Sequence, residues 1–479
     1  MLGLFVFILC VLLLVAGYAL YGRLAERVYG VDYKTIMPCV AKADGVDFMP
    51  LPMWKVFLIQ LLNIAGLGPV VGAVSGCLFG PVALLWIVVG CIFAGALHDF
   101  LAALMSAERG GANLPELVGE NLGETARHMM RFVCIFLLLM VGVVFTLLPA
   151  GMLHGMCDSL SPLQWSGVIL LYYFLATVLP ISAIIGRLYP FFGALFLFMA
   201  IGLFVMLPMS DHAILPDLNV LDNAHPAGIS IWPMLFVTIA CGAISGFHAT
   251  QSPMMVRCLP EMRNMRRVFY GAMIVEGMIA LVWAVVGLSL RDIVVNGQQT
   301  MAELTLVNPS AAVRAACDML LGKECGMIAV LGVIVLAITS GDTAMRSCRL
   351  MLADVVKMNQ VRVVSRLALA VPLFVLVIII SQLDFGVVWR YFGWGNQTLA
   401  CITLWTISAC LAYHRRKYII ALVPAVFMTS VCVTFFFYAP ECGINLSQKV
   451  ASCIGAGATL VLLVAFFVAL RRRSQNHAQ

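Results

Sequence analysis

Long apolar segments dominate this chain and decide what it can fold into. A helix needs about 20 consecutive apolar residues to cross the hydrocarbon layer of a bilayer. Of the 479 residues, 62% are hydrophobic and 11% are charged, whereas soluble domains carry about 25% charged residues. These proportions exclude a soluble enzyme, a nucleic-acid-binding protein and a disordered chain. The sequence contains thirteen candidate spans, at residues 2–22, 54–78, 82–105, 131–152, 164–181, 188–208, 231–251, 269–290, 326–342, 364–382, 387–412, 418–438 and 448–470.

The basic residues alternate between the loops and thereby predict the orientation of the chain. With the N-terminus outside, 24 of the 29 Lys and Arg residues fall on inner loops and 5 on outer loops. Lys and Arg favour cytoplasmic loops, so the distribution predicts an external N-terminus and a cytoplasmic C-terminus. No long polar stretch interrupts the spans, which indicates one all-α, multi-pass membrane domain over residues 1–479 without a soluble appendage. This domain would be embedded in the lipid bilayer. The sequence does not indicate the oligomeric state of the protein.

Two of the candidate spans contain residues that interrupt helices. Gly66, Gly68 and Pro69 lie in the middle of the second span, and Gly242 and Gly246 lie in the seventh. Glycine is a poor helix former, and proline lacks a backbone donor. Two breaks five helices apart, in oppositely directed spans, are typical of secondary transporters built from inverted repeats. The alternative is that the glycines only allow neighbouring helices to approach closely.

The polar residues around these breaks predict a binding site at mid-membrane. Half-helix N-termini attract anions, while unwound carbonyl groups hold cations. We therefore expect a small-molecule substrate with a carboxylate group to bind between the two breaks. The predicted substrate-binding residues are Gln60, Asn63, Gly66, Gly68, Gly242, Ser245, Gly246 and His248.

Three carboxylates lie within the candidate spans and are candidates for ion coupling. They are Asp99, Glu276 and Asp342. Charged groups at membrane depth are costly and usually functional, and carboxylates there can exchange protons. For Asp99 and Asp342 an equally good interpretation is a salt bridge or cap at the cytoplasmic rim of the membrane, with Arg109, Arg346 or Arg349 as partner.

The cysteines indicate neither a metal centre nor an enzyme. The 16 Cys include no CxxC pair and no Cys/His group at metal-ligand spacing. Cys317 and Cys325 share a predicted outer loop; free thiols are favoured, and pairing stays open. We find no nucleophile–base motif, which counts against a membrane enzyme. A channel and a non-transporting sensor remain as alternatives to a transporter.

Several segments resemble the carbon starvation protein A family of bacterial inner-membrane transporters. The resemblance implies uptake of peptides, or proton-linked uptake of pyruvate, when carbon is scarce. It also implies a five-plus-five inverted repeat of the amino-acid/polyamine/organocation (APC, or LeuT-like) type. The matching segments are residues 45–50, 64–69, 95–100, 240–248, 339–346 and 389–397.

The same resemblance divides the chain into parts. Residues 1–22 would be an extra N-terminal helix, 54–208 the first repeat, 231–412 the second repeat, and 418–470 two peripheral helices. The chain departs from the family at Ile59-Gln60, where well-studied members have a His-His pair.

A more local resemblance bears on the coupling ion. Residues 63–68 are similar to the first unwound helix of bacterial sodium-coupled amino-acid transporters. That similarity implies a Na⁺ site between Ala65, Thr339 and Ser340, because hard cations prefer such oxygen ligands. Asp342 nearby argues equally for a proton, so the choice between H⁺ and Na⁺ stays open, and no other cofactor is expected.

Overall fold

The computed structural model describes residues 2–45, 47–179, 181–216, 219–220, 222–295, 297–440 and 443–476. This part of the chain is mostly helical and includes a two-stranded antiparallel hairpin of β1 (Val294–Val295) and β2 (Gln299–Thr300). The first half contains α1 (Leu2–Tyr29), α2 (Pro38–Ala41), α3 (Met53–Ala65), α4 (Gly68–Phe79), α5 (Val82–Glu108), α6 (Leu114–Leu122), α7 (Glu124–Met156), α8 (Pro162–Val178) and α9 (Ile181–Met209). The second half contains α10 (Ile231–Thr238), α11 (Gly246–Val256), α12 (Met262–Ser289), α13 (Met301–Val307), α14 (Pro309–Val356), α15 (Val363–Ile380), α16 (Phe385–Tyr413), α17 (Ile419–Tyr438) and α18 (Gln448–Asn476).

The helices are long and apolar enough for a multi-pass membrane protein. Within the described residues, nine helices can each cross a membrane by length and composition, and ten can if α3 and α4 count as one bent span. Three predicted spans look different: α8 has 17 residues, α10 and α11 are separate short helices, and α16 is a 29-residue helix that carries Arg390. The count of thirteen spans stays a prediction.

The helix break predicted in the second span is confirmed. Helix α3 ends at Ala65, α4 begins at Gly68, and the two axes differ by 51°. Gly66 adopts φ 45° and ψ −147°, a conformation that strongly favours a residue without a Cβ atom. The last carbonyl groups of α3 therefore have no partner within their own helix.

The helix break predicted in the seventh span is also present. Helix α10 ends at Thr238 and α11 begins at Gly246, with Gly242 at φ 91° between them. The side-chain oxygen of Asn396 accepts hydrogen bonds from the Ser245 hydroxyl (3.1 Å) and from the Phe247 backbone N–H (2.7 Å). This amide therefore caps the start of α11.

The two interrupted segments pack directly against each other. A Cβ atom placed on Gly68 would lie 2.1 Å from the Cβ of Cys241, and one on Gly242 would lie 3.9 Å from the Cα of Pro69. Glycine is required at Gly68 because a side chain would overlap the opposite segment. The breaks, far apart in sequence, thus form one junction inside the protein.

The longest helix, α14, contains a second type of interruption. Gly322 has φ 75° and ψ 164°, which separates residues 309–321 from the rest of the helix. Residues 309–321 therefore form a distinct helical segment before the span. Cys317 is buried there, Cys325 is exposed beyond it, and both are free thiols, as favoured from the sequence.

Candidate functional site

A buried cluster of acids and histidines lies beside the junction of the two broken helices. Asp99 of α5 accepts hydrogen bonds on both carboxylate oxygens, from Nδ1 of His98 at 2.8 Å and from Nδ1 of His248 at 2.9 Å. The Nε2 atom of His248, on α11, lies 3.5 Å from the Glu276 carboxylate of α12. All four side chains are fully buried.

This geometry fixes where a proton can enter or leave. An ionised Asp99 can only accept hydrogen bonds, so with Asp99 as carboxylate each ring carries a hydrogen on Nδ1. The free position on His248 is Nε2, which faces Glu276. One proton can reside on either partner, as imidazolium with carboxylate or as neutral imidazole with carboxylic acid. The pair is therefore suited to binding and releasing a single proton.

Cys241 adds a third ligand type to this cluster. A sulfur, a ring-nitrogen and a carboxylate-oxygen atom, from Cys241, His248 and Glu276, lie within 4.8 Å of one another. Such a mixed donor set suits borderline ions such as Zn²⁺. Sequence spacing did not reveal it, because residue 241 is separated from 248 by a helix break and the third donor comes from another helix.

A second polar cluster lies where α14 meets the end of α3. The Thr339 and Ser340 hydroxyls each donate to the Leu62 carbonyl at 3.1 Å, and Ser340 also donates to the Asn63 carbonyl at 2.9 Å. These carbonyl groups lie in the last turn of α3, whose helical partners are removed by the break. The hydroxyls thus contact the carbonyls of the third and second residues before Ala65, and Ala65 as a cation ligand stays a prediction.

Asp342 belongs to this second cluster. Its carboxylate accepts hydrogen bonds from the hydroxyls of Tyr172 (2.7 Å) and Tyr189 (3.1 Å). The Tyr189 hydroxyl also lies 3.3 Å from the Asn63 side-chain oxygen. The sequence analysis missed both tyrosines. The Tyr172-Tyr173 pair within the apolar α8 is a signal that could have indicated the first, whereas Tyr189 lies in α9 without such a signal.

The salt bridges considered from the sequence do not form as expected. Asp99 bonds to histidines, while Arg109 pairs with Glu120 at 2.8 Å. Arg346 makes its ion pair with Asp47 at 3.5 Å rather than with Asp342. Both Asp99 and Asp342 are buried, and their hydrogen bonds go to histidine and tyrosine side chains rather than to arginine.

Several buried polar atoms around the breaks have no hydrogen-bond partner. The Gln60 amide lacks partners for both its oxygen and its nitrogen, and so do the Asn63 amide nitrogen, His248 Nε2 and both Glu276 oxygens. An unsatisfied buried polar group costs about 1–3 kcal/mol. Such a concentration beside the two breaks is typical of a place that a ligand, ion or water completes.

A cavity of about 1010 Å³ extends from one end of the helix bundle toward the junction. Its wall includes Val71 of α4 and Thr238 of α10, which flank the two breaks, and the charged residues Arg314 and Arg390. His225 also lines it; burial, and then the charge of Arg291, lower the pKa of this imidazole, which is therefore neutral at pH 7. The charged groups in the cavity wall, Arg314 and Arg390, are consequently positive.

The predicted substrate residues lie next to this cavity without lining it. None of the eight, all within the described part of the chain, is among the lining residues. The side chains of Gln60, Asn63, Ser245 and His248 are fully buried. The structure therefore brings the predicted residues together around the breaks but closes them off from the cavity.

The sequence profile described as carbon starvation protein CstA matches residues 2–159, 149–324 and 319–435 of this chain. The chain belongs to the CstA family. The resemblance seen in the motifs is thereby confirmed, and the chain is a multi-pass membrane protein of that family.

Relatives within the CstA family differ in what their names say. An "Uncharacterized membrane protein" of Haemophilus influenzae is 39% identical over 66% of this chain and 95% of its own length. The "Peptide transporter CstA" of Campylobacter jejuni is 28% identical over 55% of this chain and 47% of its own, and the "Pyruvate/proton symporter BtsT" of Escherichia coli is 26% identical over 55% and 45%. The chain thus spans about half the length of these two transporters.

The fold is shared with a solved transporter. A manganese transporter of Eremococcus coleocola superposes with a TM-score of 0.56 at 12% identity, covering 90% of this chain and 99% of that chain. This likeness concerns the fold alone.

Proposed function

We propose that this protein is a secondary active transporter that takes up a small carboxylate such as pyruvate, or a peptide, by alternating access. The observation that carries the proposal is the direct packing of two interrupted helices, Gly68 against Cys241, beside fully buried titratable groups. Broken helices at membrane depth are tolerated where they serve a binding site or an aqueous path. The names of two relatives support transport of such solutes.

The cavity supports an access route for an anionic solute. It reaches both broken helices and carries Arg314 and Arg390 in its wall. Its volume accommodates pyruvate as well as a dipeptide, and both carry a carboxylate, so the choice of substrate stays with experiment. The basic-residue distribution predicts that the cavity opens on the outer face of the inner membrane.

A proton is the coupling ion that we propose. His248 and Glu276 share one exchangeable proton, and Asp99 holds the imidazole in place. Protonation changes the charge of a buried site next to the junction, so it alters the relative stability of the two orientations of the binding site. An ion shifts such an equilibrium only through different affinities for the two states.

Sodium is a second candidate, favoured by one specific observation. Two hydroxyls, on Thr339 and Ser340, and two carbonyls, of Leu62 and Asn63, converge at hydrogen-bond distance. Four oxygen atoms are part of the coordination that Na⁺ needs. The two ions give different results in the following experiment.

Purified protein in proteoliposomes tests the proposal. We expect labelled pyruvate or dipeptide to accumulate above equilibrium under an inward proton gradient, with loss of accumulation when a protonophore is added. Sodium coupling would instead require an inward Na⁺ gradient and tolerate the protonophore. A channel would equilibrate the solute without accumulation or saturation. Absence of accumulation of either solute under both gradients would reject the transporter.

A further inference from the structure

Three arginines are buried together at the end of the bundle opposite the cavity. Arg346 and Arg349 lie near the end of α14, and Arg366 lies in the first turn of α15; their exposed fractions are 1%, 0% and 5%. The basic-residue distribution predicts that this end faces the cytoplasm. Guanidinium groups stay protonated in proteins, so three positive charges are enclosed here.

The hydrogen bonds of these arginines go to neutral oxygens. Arg346 donates to the carbonyls of Ala176 and Leu179, and Arg366 donates to the carbonyl of Val178 at 2.5 Å. Arg349 donates to the side-chain oxygen of Gln360. Carbonyl and amide oxygens orient the guanidinium groups but do not neutralise them.

Negative charge is in short supply around the cluster. Among the described residues, one carboxylate lies within 4.0 Å of any of the three guanidinium groups. It belongs to Asp47 and lies 3.5 Å from Arg346. Its electrostatic influence also reaches Arg349. Asp342 interacts with Arg346 at longer range but receives its hydrogen bonds from tyrosines. Even with both acids counted, one buried guanidinium charge is uncompensated.

The arginines also keep unused donors. Nε and Nη1 of Arg346, Nε and Nη2 of Arg349, and Nε of Arg366 are buried without a hydrogen-bond partner. An uncompensated buried charge is strongly destabilising. The planar fork of donors on a guanidinium group matches the two oxygens of a carboxylate. The cluster therefore has both the charge and the geometry for an anion.

Asp47 occupies this cluster from a segment that is otherwise mostly exposed. Residues 40–45 and Pro50 are exposed, whereas Asp47 is 7% exposed. Two turn bonds to the Asp44 carboxylate, from the backbone N–H groups of Asp47 and Phe48, hold the segment in shape. The segment leads directly into α3, the first half of the interrupted helix.

We propose that the Arg346–Arg349–Arg366 cluster is a carboxylate-binding site on the predicted cytoplasmic face, and that Asp47 occupies it until an incoming carboxylate displaces it. The proposal rests on the proposed function in that it identifies this carboxylate with that of the transported solute. Displacement of Asp47 releases the segment that holds α3, so arrival of the solute at this end and movement of the broken helix are coupled.

Binding to the full-length protein in detergent tests the site without any gradient. The probes are sodium pyruvate, sodium acetate and sodium phosphate, each compared with sodium chloride at equal ionic strength, with thermal unfolding as readout. We expect pyruvate and acetate to stabilise the protein beyond chloride. Asp47→Asn removes the internal competitor, so we expect its apparent Kd for these carboxylates to fall about tenfold.

Matched variants separate charge from folding defects. Asp47→Glu keeps the competing carboxylate and should bind as the wild type does. Arg349→Gln should weaken carboxylate binding at least fivefold, and Glu261→Gln, an exposed residue paired with Arg263, should change nothing. If Asp47→Asn is unstable alone, acetate should restore its unfolding temperature more than chloride does.

The outcomes distinguish this site from the proposed function. Equal Kd values for wild type, Asp47→Asn and Arg349→Gln would overturn the site even if uptake is observed. Preference for phosphate over both carboxylates would overturn the assignment to a carboxylate, in favour of a phosphate group free or on a lipid. The expected Kd changes without any gradient-driven uptake would retain the site and reject the transporter.

Discussion

Nε2 of His248 faces a carboxylate oxygen of Glu276 at 3.5 Å, with both side chains fully buried. The distance exceeds that of a good hydrogen bond, so neither protonation arrangement is locked in place. A small movement of α11, the second half of a broken helix, would shorten or lengthen it. The pair thus links the position of a half-helix to the location of a proton.

Glu276→Gln should uncouple transport from the proton gradient. The amide keeps the size of the side chain but neither accepts nor releases a proton, so gradient-driven accumulation of labelled solute should fall at least tenfold. Exchange of labelled for unlabelled solute at equal pH should persist, because it needs no net proton movement. Both are measured in proteoliposomes.

The matched control for this change is Glu324→Gln. Glu324 is exposed near the kink of α14, so its neutralisation should leave both assays unchanged. Full accumulation by Glu276→Gln under a proton gradient would contradict proton coupling at this pair and leave the sodium candidate.

Gly68→Ala should block transport by separating the two breaks. The added Cβ would lie 2.1 Å from the Cβ of Cys241 and 2.4 Å from its sulfur, so one segment must move. We expect uptake below about a tenth of the wild-type rate, measured with protein matched for membrane insertion. The second change Cys241→Gly removes both clashing atoms and should restore a substantial part of uptake.

This pair of variants also separates contact from side-chain chemistry. Cys241→Gly alone should reduce uptake less than Gly68→Ala. Failure of the double variant to exceed Gly68→Ala would indicate that the direct packing of the breaks is not what uptake requires.

The positions of both breaks were predictable because their cause is local. Gly66 in the first break and Gly242 in the second both adopt a positive φ, a conformation that glycine reaches more easily than other residues. The carboxylates at membrane depth were equally visible, since a charge within an apolar span stands out without any tertiary information.

The partners of these residues were not predictable, because they depend on packing across the chain. His248 meets Asp99 over 149 positions of sequence, and nothing in the loop that carries Asp47 indicates Arg346 as its partner. Without knowledge of this packing, the sequence suggested salt bridges of Asp99 and Asp342 with arginines nearby in the chain. Which carbonyls at the end of α3 lack a partner within the helix depends on where the helix ends, and boundaries are the least certain part of sequence interpretation.

Arg314→Gln should weaken the capture of an anionic solute at the cavity. Arg314 donates to the Gly155 carbonyl and lies 3.7 Å from Asp318, so its charge is only partly offset. We expect KM for pyruvate to rise about threefold to tenfold with little change in the maximal rate, which corresponds to about 0.7–1.4 kcal/mol. Added salt should raise KM less in the variant than in the wild type, because salt screens the charge.

Arg472→Gln serves as the control for net charge. It lies exposed in the last turns of α18, away from the cavity, and should leave KM unchanged. With a neutral substrate Arg314→Gln should leave KM unchanged, and with a cationic substrate it should lower KM. Either result would count against an anion in this cavity.

Labelling of Cys157 tests the predicted orientation of the chain in the membrane and the effect of Ser159 on the thiol pKa. It is exposed just after α7, on the predicted outer side, and its sulfur lies 3.1 Å from the Ser159 hydroxyl. Hydrogen bonding to Ser159 lowers the pKa of this thiol from its usual value of 9.0. A lower pKa means a larger thiolate fraction at pH 7, and the thiolate is the form that reacts with maleimide.

A membrane-impermeant maleimide on intact spheroplasts should therefore label Cys157 in a variant with Cys325, Cys442 and Cys453 changed to Ser. Ser159→Ala raises the thiol pKa, so labelling should slow at pH 7, and the two rates should converge above about pH 10, where both thiols are ionised. Lys417 is an exposed position on the predicted inner side. In the same background, a variant that combines Cys157→Ser with Lys417→Cys should react with the maleimide only after the membrane is permeabilised. Labelling of Lys417→Cys in intact spheroplasts, with Cys157 protected, would reverse the orientation and place the cavity on the cytoplasmic face and the arginine cluster outside, because the two lie at opposite ends of the same bundle.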